Sequence, residues 1–148
     1  MTLNDLQNDL NASLKAGKSG RVGTLRLLIS AIRNAAIDTY GSAWETSIKD
    51  QDIIDMVKKQ VKTHRESILA FEKASRADLV AKEQEELNVL EEFAPKELTD
   101  DAIKALLMPI AASGEQNFGL LMKQAMAAIK GQADGGRVSA ILKQLLQK

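Results

Sequence analysis

Apolar residues recur at three- and four-residue steps along most of this chain, and no useful length of it alternates at period two. That spacing lines one face of a helix, whereas a half-buried strand needs strict alternation, so the pattern restricts the chain to an all-α fold. Thr2 with Asp5 three residues later forms a capping-box signature ahead of Leu3, Leu6, Leu10 and Leu14, which predicts a first helix from about residue 3 to Ala16. Gly17-Lys18-Ser19-Gly20 breaks it. A second stripe follows, Val22, Leu25, Leu28, Ile29, Ile32 and Ala36, and ends near Tyr40-Gly41.

Asp50 or Gln51 starts a third helix with Ile53, Ile54, Val57, Val61, Ile68 and Phe71 inward and Lys58, Lys59, Lys62 and Arg65 largely outward. The fourth, from about Ala77 to Phe93, places Leu79, Val80, Leu87, Leu90 and Phe93 inside and Glu83, Glu85, Glu86, Glu91 and Glu92 outside. No Gly or Pro lies at Ala74-Ser75-Arg76, so the sequence leaves open whether these two helices join. Pro95 biases Ala94 away from helix, and Lys96-Glu97-Leu98 reads as a short linker.

Beyond it, Thr99 opens a fifth helix carrying Ile103, Leu106, Leu107 and Ile110, in which Pro109 predicts a kink or an early end. Asn117 caps a sixth, with Phe118, Leu121, Met122, Ala125, Met126 and Ile129 as its inner face, and Asp134 caps a seventh with Val138, Ile141, Leu142 and Leu145. Met108, Met122 and Met126 read as core fillers. The expected organisation is a helical N-terminal domain over residues 1–95 and a small three-helix domain over residues 96–148.

Between the last two helices lies Lys130-Gly131-Gln132-Ala133-Asp134-Gly135-Gly136-Arg137, a stop and a start in eight residues. Gly131 suits the left-handed residue that ends a helix, and Asp134 can accept from the free N–H groups that begin the next. With Gly135 and Gly136 in the first turn the backbone lies open to close approach, and Lys130 and Arg137 set two cations beside it. A tight connection between two caps and an anion-contacting surface are both compatible with this stretch, because a capping carboxylate competes for the N–H groups that a phosphate would use. It lacks the glycine–lysine–serine/threonine string of a P-loop, and no dinucleotide fingerprint occurs.

Formal charge is zero overall, with 20 Lys/Arg and 20 Asp/Glu, but residues 1–95 carry 13 against 15 and residues 102–148 carry 6 against 2. The tail is therefore mildly basic, enough to favour an anionic partner yet short of the dense stripe of a dedicated DNA binder, and no DNA partner is expected. Aromatic residues make up 3% of the chain, too few for a base-stacking platform. Cysteine is absent, which excludes disulfides, thiolate–zinc sites and cysteine nucleophiles. No stretch approaches a membrane span, and a cytoplasmic address is the expectation.

His64, the single histidine, is expected to be a solvated helix residue, and the glutamates between Glu83 and Glu92 a solvated face, so no catalytic residue, metal ligand or cofactor is assigned. Arg26 and Arg33 lie seven residues apart on one face of the second helix. With Lys58, Lys59, Lys62 and Arg65 they offer either a phosphate-contacting surface or salt bridges to the acidic fourth helix.

Taken together these residues resemble the GatB/YqeY-like family. The likeness is carried by Arg21 with Thr24-Leu25-Arg26-Leu27-Leu28 and Ala31-Ile32, by Lys62 with Arg65-Glu66-Ser67-Ile68, and by Phe71 with Arg76-Ala77-Asp78-Leu79. It continues through Glu83, Glu86-Leu87, Pro95, Phe118-Gly119, and Gly131 with Ala133-Asp134-Gly135 and Val138. Departures are Pro109, and Leu120-Leu121 where the family is more basic. The resemblance implies two helical domains, the second similar to the tail of the B subunit of the glutamine-dependent aminoacyl-tRNA amidotransferase, which touches tRNA.

On that basis the expected function is a tRNA-interacting accessory protein without a catalytic centre of its own. Its expected contacts are Lys123, Lys130, Gly131, Gly135, Gly136, Arg137 and Lys143, with Arg26 and Arg33, and its expected partners are tRNA and amidotransferase or aminoacyl-tRNA synthetase components. The alternatives are a carbon–nitrogen ligase activity with glutamine as amido donor, exercised with partner subunits, and a protein–protein adaptor. Nothing in the chain matches the amidase subunit or the ATP-using cradle of the B subunit, and a tail alone does not transfer a reaction.

Overall fold

A computed structural model describes residues 1–147; Lys148, the last cation of the basic tail, lies outside the described residues. The chain is all-α, with no strand among the described residues. The helices are α1 (Leu3–Lys15), α2 (Ser19–Tyr40), a one-turn α3 (Trp44–Ser47) reached through a short 3₁₀ segment, α4 (Asp50–Lys73), α5 (Ala77–Phe93), α6 (Asp100–Ala111), α7 (Phe118–Ile129) and α8 (Gly135–Leu146). They gather into two compact units, Met1–Ala94 and the chain from Pro95 onward.

Local chemistry sets the helix ends. Thr2 and Asp5 form a reciprocal capping box: the Asp5 N–H donates to Thr2 Oγ1 at 3.2 Å, and the Thr2 N–H donates to the Asp5 carboxylate at 2.7 Å. Thr99, Asn117 and Asp134 each accept from the backbone N–H three residues on, at 3.2, 3.2 and 2.9 Å. At the start of α4 the Asp52 carboxylate takes the Lys49 N–H at 2.9 Å and the Tyr40 hydroxyl at 2.7 Å, so the first turn of α4 is tied to the end of α2.

The question left open at Ala74-Ser75-Arg76 resolves as a break. Ser75 takes a left-handed φ of 57°, the Arg76 N–H donates to the Phe71 carbonyl at 3.0 Å, and the Ser75 N–H donates to the Glu72 carbonyl at 3.1 Å. This is a Schellman ending, built on a serine where glycine is the usual residue. It folds α4 and α5 back on each other as an antiparallel hairpin.

In the first unit α1 packs on α2, and α2 packs on the α4–α5 hairpin around Leu6, Leu25, Leu28, Ile32, Ile53, Val57 and Leu90, all nearly or fully buried. In the second unit α6 packs on α7 and α8 around Ile103, Leu107, Leu121, Ile129, Val138 and Leu142. Complete burial of each such side chain contributes about 1.5–3 kcal/mol, and this apolar area dominates the stability of both units. The predicted stripes overreach at their edges: Leu14, Leu106, Met126 and above all Met108, which is 59% exposed, lie at the surface rather than in the core. A bundle this small covers only part of each stripe. Pro109 stands inside α6, and the helix ends two residues beyond it, at Ala111.

Candidate functional site

The α7–α8 turn is built by two left-handed residues in succession and one cap. Lys130 closes α7 at φ 52°, ψ 42°, and Gly131 follows at φ 77°. Gly131 therefore has the positive φ expected of it, while Lys130 carries the strain that a non-glycine residue meets in that conformation. Gln132 then donates to the Ile129 carbonyl at 3.1 Å and accepts from the Leu98 N–H at 2.8 Å, which ties the turn to the segment ahead of α6.

The Asp134 carboxylate accepts from the Arg137 N–H, and the Asp134 carbonyl from the Val138 N–H. The N–H groups of Gly135 and Gly136, also in the first turn of α8, have no acceptor among the described residues. The expected competition between the cap and an incoming anion is thus only partial. A Cβ on Gly136 would stand 3.0 Å from the capping oxygen, so a side chain there would press on the cap; a Cβ on Gly135 would meet nothing within 4 Å. Gly135 consequently presents bare backbone to its surroundings.

The cations around the turn divide by what holds them. Arg137 donates to the Asp100 carboxylate at 2.6 Å and to the Leu98 carbonyl at 3.0 Å, with Glu97 4.0 Å away. Asp100 is the main cause of the upward shift of its pKa, followed by desolvation in the opposite direction. Its guanidinium, expected at the sequence level to be a contact, is already committed to pinning the start of α8 onto the start of α6.

Lys123 and Lys130 are exposed, and neither makes an ion pair or side-chain hydrogen bond among the described residues. Lys123 lies in the middle of α7 and Lys130 at its end. Lys143 is exposed as well, with its ammonium 5.7 Å above the Phe118 ring. The structure therefore gathers Lys130, Gly131, Gly135, Gly136 and Arg137 at one turn with Lys123 along the adjoining helix. Arg26 and Arg33 are exposed on α2 in the first unit.

The first unit contains a second constellation, which sequence reasoning did not find. His64, expected to be solvated, keeps 15% of its side chain exposed, and Glu83 and Glu86, expected on the outer face, keep 21% and 19%. His64 Nε2 lies 3.0 Å from Glu86 Oε2 and 3.7 Å from Glu83 Oε2, and Nδ1 lies 2.8 Å from the Gln60 carbonyl. The signal was present in the spacing. His64 stands eleven residues before Ser75 and Glu86 eleven after it, so a hairpin turning at Ser75 sets them opposite each other. Elsewhere on this hairpin Arg65 pairs with Glu91 at 2.9 Å, the salt-bridging alternative for the basic flank.

Nearly the whole chain can be matched to known proteins. Residues 3–146 match the family described as Yqey-like protein. Among curated proteins the chain is 29% identical over 134 residues to "Altered inheritance of mitochondria protein 41, mitochondrial" of Pyrenophora tritici-repentis, an alignment covering 86% of this chain and 71% of that protein. It is 27% identical over 146 residues to the protein of the same name from Kluyveromyces lactis, covering 91% and 72%.

These names correct the cytoplasmic expectation: the relatives are mitochondrial proteins. Lack of cysteine and of a spanning helix does not distinguish the two compartments, and among the described residues no helix is long and apolar enough to cross a membrane. Since the match takes in all eight helices and both units, the chain belongs to the YqeY-like protein family.

Proposed function

We propose that this chain is a tRNA-interacting accessory protein that meets the RNA through the α7–α8 turn, with Lys123, Lys130 and Lys143 on phosphates and the backbone of Gly135 and Gly136 facing one phosphate group. The observation that carries the reading is the unequal use of charge in the tail: lysines without carboxylate partners among the described residues stand beside two N–H groups at a helix N-terminus that have no acceptor among them. Phosphate contacts of this kind recognise backbone and shape rather than base sequence. Arg137 acts in this reading by holding the turn in place through Asp100. Tail resemblance to the amidotransferase subunit supports tRNA as the nucleic acid, while carbon–nitrogen ligase chemistry rests on that resemblance alone and is not adopted.

The test is tRNA binding by the full chain over a range of salt concentrations. Lys130→Ala and Lys123→Ala each lower affinity at low salt, and each reduces the log–log salt slope by roughly one. Arg137→Ala instead lowers thermal stability, with a smaller effect on the slope. Binding and slope left unchanged by both lysine substitutions would overturn the reading.

A further inference from the structure

We propose that His64, Glu83 and Glu86 bind one divalent first-row transition ion between α4 and α5, with Zn²⁺ as the probe. The ring orientation carries the argument. His64 Nδ1 lies 2.8 Å from the Gln60 carbonyl oxygen, which can only accept, so Nδ1 holds the proton. In a neutral ring Nε2 then presents a lone pair to Glu86 Oε2 at 3.0 Å and Glu83 Oε2 at 3.7 Å. Three acceptors facing one another need a positive species among them. A backbone carbonyl on the far nitrogen of a histidine is also the arrangement that fixes the tautomer of a metal-ligating imidazole.

Distances and charge fit an ion. Zinc bonds of about 2.0–2.2 Å hold neighbouring ligand atoms roughly 3.0–3.5 Å apart. The two histidine–carboxylate separations bracket that interval, and all three donor atoms lie within 4.8 Å of one another. Two carboxylates balance a divalent charge, and the imidazole selects a transition ion over Mg²⁺ or Ca²⁺, which prefer oxygen. Glu83 and Glu86 are one turn apart on α5 and His64 comes from α4, so the ion joins the two arms of the hairpin. Side chains that are 15–21% exposed leave a path for entry and a position for water as a further ligand.

Titration calorimetry of the metal-stripped full chain with Zn²⁺ near neutral pH decides the matter, with Co²⁺ absorption as the report on ligand geometry. One ion per chain is expected. His64→Ala and Glu86→Gln are each expected to weaken binding by at least about tenfold, whereas Glu85→Gln, on an exposed position of the same helix, leaves it unchanged. Zn²⁺ raises the melting temperature of the unsubstituted chain and not that of Glu86→Gln, a near-isosteric change that keeps the test valid if His64→Ala fails to fold. The proposal is overturned by absence of saturable binding, by binding that survives in Glu86→Gln, or by displacement of the ion by millimolar Mg²⁺.

Discussion

In the first unit Arg21 reaches from α2 to Asp9 on α1 at 2.7 Å and to Glu92 on α5, and its guanidinium lies 5.3 Å above the Phe93 ring. In the second unit Lys123 and Lys130 reach no carboxylate among the described residues, and Arg137 is the cation that ties helices together. The contrast is one of use. Charge in the first unit locks elements of the fold to one another, whereas much of the positive charge in the tail is left facing outward. Near-zero net charge conceals this, because the two units spend similar residues on different tasks.

The largest effect that sharpens the comparison comes from Arg21→Ala. It strands a partly buried Asp9, removes the tie to Glu92 and uncovers Phe93. Loss of one partner of a buried pair costs about 3–5 kcal/mol, and partial exposure of these groups lowers the expectation to roughly 2 kcal/mol. Trp44, the single tryptophan, lies in the first unit, so its fluorescence reports that unit while far-UV circular dichroism reports both. Arg21→Ala moves the Trp44 transition to lower temperature and leaves tRNA affinity of the folded chain unchanged. If tRNA affinity fell instead with an unmoved Trp44 transition, the division of labour would be wrong.

Next in size is Gly131→Val. A β-branched residue at φ 77° is strained by roughly 1–2 kcal/mol. The loss belongs to the second unit, so the dichroism curve shifts while the Trp44 transition stays in place. A negligible shift would mean that the turn relaxes to another conformation and that its backbone does not hold the tail cations where the comparison needs them.

How much of this could be read from the sequence depended on how local the cause was. Thr2, Thr99, Asn117 and Asp134 cap the helices they were expected to cap, because a cap is a contact across three residues. The hairpin turn escaped because Ser75 supplies the left-handed residue that Gly usually supplies. Without that turn there was no register, and so no reason to set His64 beside Glu83 and Glu86. Arg137 was legible as a cation but not as a strut, since its partner Asp100 is thirty-seven residues away in sequence. Exposed Met108 and Leu106 show the opposite limit: periodicity names a face, and only the neighbouring helices decide how much of it is covered.

The smallest expected effect concerns acid. Carboxyls held below their ordinary range are found in the first unit: Asp9 chiefly through the Arg21 hydrogen bond, and Asp52 through the Lys49 N–H and then the Tyr40 hydroxyl. A carboxyl whose folded pKa lies below its unfolded value of about 3.9 contributes stability that is complete above that value and is lost as pH falls through the folded one. Acidification below about pH 4 should therefore lower the Trp44 transition, and Asp9→Asn should flatten that decline while lowering stability near neutrality. Because Asp9 is itself partly exposed, the change is a fraction of the Arg21 effect. An acid slope identical in Asp9→Asn would show that the Arg21 pair does not set the first unit's sensitivity, leaving it to the other lowered carboxyls, Asp5, Asp52 and Asp78.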